Sequence, residues 1–119
     1  MLTVALIKEY MSPIEILQQY SEDMITAGEN LIDTNGKLAK AESIFTVIKA
    51  KMYSMDRVAN CSSQPLRDAE VSIMLDTDDR FNAQYRKYLG LKLKNREDYI
   101  KWELSKELCR NQRAIVQSL

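Results

Sequence analysis

Residues 13–59 read PIEILQQYSEDMITAGENLIDTNGKLAKAESIFTVIKAKMYSMDRVA, and the spacing of apolar side chains within them decides the fold. Leu17, Tyr20, Met24, Ala27, Leu31, Leu38, Ala41, Phe45, Ile48, Met52, Met55 and Ala59 follow one another at alternating steps of three and four, with Thr34 completing the series. Such steps place every member on one stripe of an α-helix. Ser12 is positioned to cap that helix, Pro13 suits its first turn and Glu15 sits where a capping box needs an acid. Asn35-Gly36 has the local chemistry of a turn. The register nevertheless crosses it without a slip, so one helix over 13–60 is expected, with a break at Gly36 as the alternative.

Outward from this segment, Asn60-Cys61-Ser62-Ser63-Gln64-Pro65 reads as a short polar loop. Asn60 suits a helix end, Ser62 or Ser63 a cap, and Pro65 the first turn of a second helix over 65–118. Asp76-Thr77-Asp78-Asp79 predicts a kink or a fresh helix start, since acids beside a capping threonine favour an N-terminus. Beyond it Leu89, Leu93, Ile100, Leu104, Leu108, Ile115 and Leu119 form a stripe containing several eleven-residue steps, close to the natural helix period. Tyr85, Tyr88, Tyr99 and Trp102 fall on a second face beside it. Residues 1–12 are expected to form an arm or short helix, with an apolar run too short for a signal peptide or a membrane span.

No segment alternates with period two, and only three glycines and two prolines are available for tight turns. The expected fold is therefore all-α: one domain built as a long antiparallel helical hairpin. Its apolar surface exceeds what a single seam buries, which predicts a homo-oligomer, most simply a dimer forming a four-helix bundle or coiled coil. The seam expected from the sequence comprises Leu17, Tyr20, Met24, Leu31, Leu38, Phe45, Ile48, Met52, Met55, Leu89, Leu93, Ile100, Leu104, Leu108 and Ile115.

Composition narrows the function. The chain has 17 basic and 17 acidic residues and no histidine, so the commonest general base and metal ligand is missing. Cys61 and Cys109 are far apart and read as free thiols rather than ligands. The acids at 22–23 and 76–79 lie at successive helical positions that point in different directions, which suits solvated caps better than a metal site. The methionines Met24, Met52, Met55 and Met74 read as core filling. Neither a catalytic residue, a cofactor nor a metal is expected.

Two clusters qualify as binding surfaces. Arg67-Asp68-Ala69-Glu70 opens the second helix; Arg67 could hold a phosphate or carboxylate, but pairing with its neighbouring acids is the simpler reading. Tyr85, Arg86, Tyr88, Lys92, Lys94, Arg96, Tyr99, Lys101 and Trp102 interleave bases with aromatic rings, the mixture that single-stranded nucleic acid requires. Helical spacing of the rings favours packing instead. Residues 37–119 hold sixteen bases against eleven acids, only a modest surplus.

Lys49-Ala50-Lys51-Met52 near the end of the first helix, Leu66-Arg67-Asp68-Ala69-Glu70-Val71 after the loop, and Glu107-Leu108-Cys109-Arg110-Asn111-Gln112-Arg113-Ala114-Ile115 in the last helix give residues 37–119 a resemblance. They are similar to the small helical proteins of tailed bacteriophages, often encoded beside recombination or single-strand-annealing genes. The resemblance implies phage origin and a host cytoplasmic setting, and transfers no catalytic residue. The expected function is a non-catalytic, oligomeric helical adaptor or accessory factor of phage DNA metabolism with an unidentified protein partner. The alternatives are a single-stranded nucleic-acid binder and a small inhibitor of a host enzyme; no membrane association is expected.

Overall fold

The computed structural model describes residues 11–119, so most of the arm expected at 1–12 lies outside the described residues. Four helices follow in order: α1 (Pro13–Ser54), α2 (Asp56–Ala59), α3 (Gln64–Thr77) and α4 (Asp79–Gln117). Of the described residues 91% are helical and none is in a strand, the all-α class that the periodicities demand.

The caps sit where the sequence places them. The Glu15 amide donates to Ser12 Oγ at 3.2 Å, and the Ser12 hydroxyl donates to Glu15 Oε1 at 3.2 Å. Ser63, rather than Ser62, caps α3 by accepting from the Leu66 amide at 3.4 Å. Asp78 leaves helical geometry (φ −90°, ψ 114°) and its carboxylate accepts from the Arg80 amide at 2.9 Å, which makes 76–79 a fresh helix start. The adjacent Arg80 guanidinium donates to the same carboxylate and holds its pKa below the ordinary range.

α1 passes through Asn35-Gly36 unbroken, with no glycine at positive φ among the described residues. A Cβ built on Gly36 meets nothing within 4 Å. Gly36→Ala should therefore stabilise by up to about 1 kcal/mol through helix propensity alone, measured by urea unfolding. Gly28 differs, because its Cβ would stand 3.3 Å from Trp102 Nε1. The same substitution there must displace the indole and should gain less.

The first helix ends earlier than its register suggests. Met55 is extended (φ −71°, ψ 141°), and the single turn α2 then carries Val58 into the core with no exposed surface. Ala59, the last member of the series, is exposed. The correction has a packing cause: a straight α1 to residue 60 would leave Val58 off its apolar stripe, whereas the break turns it onto α3.

Two compact units divide the chain. The unit comprising residues 34–95 holds the buried cluster Met52, Val58, Val71, Met74 and Leu75, with Phe45, Ile48, Tyr53, Met55, Phe81 and Tyr85 packed around it. Phe45 stacks on Tyr88 at 4.9 Å and on Tyr85 at 5.5 Å between centroids. Asn95 Nδ2 donates to Thr34 Oγ1 at 3.2 Å and to Asn35 Oδ1 at 2.6 Å, which satisfies the polar member of the α1 stripe.

The unit containing residues 96–119 pairs them with the start of α1. Gln112 Nε2 donates to the Pro13 carbonyl at 2.9 Å, Ser21 Oγ lies 3.5 Å from Cys109 Sγ, and the Trp102 ring packs over Gly28. In each unit low numbers of α1 face high numbers of α4, so the helices run antiparallel. Both cysteines are free thiols, Cys109 buried and Cys61 half-buried.

Candidate functional site

Along the α1 stripe Leu17, Tyr20, Met24, Leu38, Phe45, Ile48 and Met55 are half-buried, and Leu31 and Met52 are buried. On α4 the leucine members of the expected oligomer seam do not face α1. The side turned to α1 carries Phe81, Tyr85, Tyr88, Leu91, Asn95, Asp98, Trp102, Ser105, Cys109, Gln112 and Val116, all buried or half-buried. Their steps of three and four make a seven-residue repeat (88, 95, 102, 109, 116 and 91, 98, 105, 112) in which Asn95, Asp98, Ser105 and Gln112 are polar. The leucine stripe lies on the other side.

Its exposure is large: Leu89 42%, Leu93 62%, Ile100 56%, Leu104 56%, Leu108 39%, Ile115 50% and Leu119 78%. A free monomer would thus leave a row of leucine and isoleucine side chains in water, more contiguous apolar surface than monomers ordinarily show. Ile25 (58% exposed) and Ile32 (72% exposed) add to the apolar surface of α1.

The basic-aromatic residues do not converge on one surface. Tyr85 and Tyr88 are occupied by Phe45, and the Lys92 ammonium rests 5.7 Å from the Tyr88 ring centroid. Trp102 lies between Gly28 and the Lys106 ammonium, which is 3.7 Å from its ring centroid. Tyr99 is half exposed and tilted against Trp102 at 6.4 Å. Arg86, Lys94, Arg96 and Lys101 are exposed, but Lys92, Lys94 and Arg96 follow at steps of two, about 200° apart around a helix. Packed rings and dispersed bases leave little for a nucleobase to stack on.

Arg67 is half-buried, and the acids expected to pair with it are engaged elsewhere. Glu70 is bound by Arg57, while Asp68 accepts from the Tyr53 hydroxyl at 2.5 Å and from Gln64 Nε2 at 2.8 Å. These two donors pull the Asp68 pKa down, and the acid in turn raises that of Tyr53. The Arg67 region thus ties α1, α2 and α3 together.

Open clefts among the described residues include two beside these faces. One, of about 310 Å³, is lined by Leu104 and Leu108 with Asp23, Asn30 and Lys101; the other, of about 340 Å³, places Ile44 and Leu91 beneath Lys37, Lys40 and Lys87. Among the described residues no helix is long and apolar enough to cross a membrane. No protein family, curated protein or solved structure matches the chain.

Proposed function

We propose that this chain is a non-catalytic, oligomeric helical adaptor, whose apolar α4 stripe is covered by a partner when it acts. The observation carrying this reading is the exposure of six leucine and isoleucine side chains along α4, and of Leu119 just past its end, each at 39% or more. A stripe of this kind is costly to leave in water and marks an interaction surface. The setting we propose, an accessory role in phage DNA metabolism within the host cytoplasm, rests on the resemblance of residues 37–119 to small phage helical proteins.

Single-stranded nucleic-acid binding is the competing reading, and a salt titration separates the two. Labelled single-stranded DNA should show no appreciable anisotropy change with the wild-type chain at physiological salt. Micromolar binding that falls steeply with salt, as counterion release requires, would overturn the adaptor reading, particularly if lost on replacing Lys92, Lys94 and Lys101 with glutamine. Those three lysines are exposed, so the triple variant should retain wild-type helicity.

A further inference from the structure

The outer face of α4 has a symmetry that names its occupant. Leu104 lies at the centre, and each apolar residue on one side has a counterpart at the same distance in sequence on the other: Ile100 with Leu108, Leu93 with Ile115, and Leu89 with Leu119, which lies two residues past the end of α4. Two further positions complete the steps of three and four along this face, Glu97 and Asn111, both exposed. They too are equidistant from Leu104, seven residues to either side.

We infer that α4 pairs with α4 of a second copy, antiparallel, about a two-fold axis at Leu104. This rests on the oligomeric reading above and specifies its partner and register. In this arrangement Leu104 packs on Leu104 of the second copy, and each apolar residue meets its apolar counterpart. Both polar members are also matched. The Asn111 side-chain amide donates to the Glu97 carboxylate of the other chain, and the reciprocal bond forms by symmetry. A parallel pairing would set Glu97 against Glu97, with like charges opposed. The matched polar layer fixes direction and register, as a single polar seam position does in coiled coils.

The face has apolar surface to bury against a second copy: each of its seven leucine and isoleucine residues is 39% or more exposed. Eleven-residue spacing keeps these positions on one face of the helix.

Sedimentation equilibrium on the full chain tests this with two variants. Leu104→Asp places two carboxylates at the axis and should weaken the dimer on the order of a hundred-fold or more. Because Leu104 is 56% exposed, its far-ultraviolet circular dichroism at low concentration should match the wild type. Asn111→Lys, at an exposed position, discriminates direction. An antiparallel pair gains two lysine–Glu97 contacts and should tighten about three- to ten-fold. A parallel pair sets lysine against lysine and weakens, which would overturn the proposed register. A wild-type dimer indifferent to Leu104→Asp would overturn the α4 interface while leaving the oligomeric reading in place. A wild-type chain that stays monomeric would overturn both.

Discussion

Met74→Ala should cost about 2–5 kcal/mol of unfolding free energy, the range for removing a long buried side chain and leaving a cavity. Met74 has no exposed surface and sits with Met52, Val58, Val71 and Leu75 where α1, α2 and α3 meet. The break at Met55 and the loop before Ser63 are held by this cluster, so the cavity cannot close by sliding one straight helix along another. Urea unfolding followed by circular dichroism provides the check. A loss below about 0.5 kcal/mol, the scale of an ordinary surface substitution, would show that the cluster does not organise this end of the chain.

The second large effect is expected at Trp102. Its indole fills the space left by Gly28 and lies under the Lys106 ammonium, joining α1 to α4 in the unit that contains both termini of the described chain. Trp102→Ala should cost about 2–3 kcal/mol, less than the 3–5 kcal/mol of a fully buried ring because this one is half-buried. The readout must be circular dichroism, since Trp102 is the only tryptophan. Had the ring belonged to a nucleic-acid face, the same substitution would leave stability almost unchanged and abolish DNA binding. The stability loss therefore bears on function as well as packing.

How much of this was legible in the sequence depended on what the inward stripe is made of. Along α1 it is almost wholly apolar, and Leu17 through Met55 could be read directly, including passage through Gly36, where local turn chemistry loses to a continuous register. On α4 the inward stripe alternates Tyr88, Trp102 and Val116 with Asn95, Asp98, Ser105 and Gln112. A reading ranked by hydrophobicity passes over such a set in favour of the neighbouring leucines. The missed signal was polar complementarity. Thr34 in the α1 stripe required a donor, and Asn95 supplies it at 3.2 Å.

The end of α1 was hidden for a different reason. Nothing in Met55-Asp56 breaks a helix by propensity; the break arises because Val58 gains a buried site against α3, a tertiary gain invisible to local pattern. Arg67 was judged from its neighbours in sequence, yet Glu70 is taken by Arg57 of α2, and Asp68 by Tyr53 of α1 and by Gln64 one turn earlier in its own helix. Which face of α4 meets α1 matters most for function. The rings lie inside, and with them goes the case for base stacking, while the leucines lie outward, where only another surface can cover them.

That outward stripe is the central claim, and the mass of the wild-type chain in solution tests it most directly. Sedimentation equilibrium from about 1 to 100 μM, spanning the affinities that separate a weak association from a firm one, should give twice the 13.8 kDa of one chain at the upper end. The mass should fall towards 13.8 kDa only on dilution. A mass of 13.8 kDa at every concentration would contradict the account, because the leucine stripe would then stand in water with no second copy to cover it.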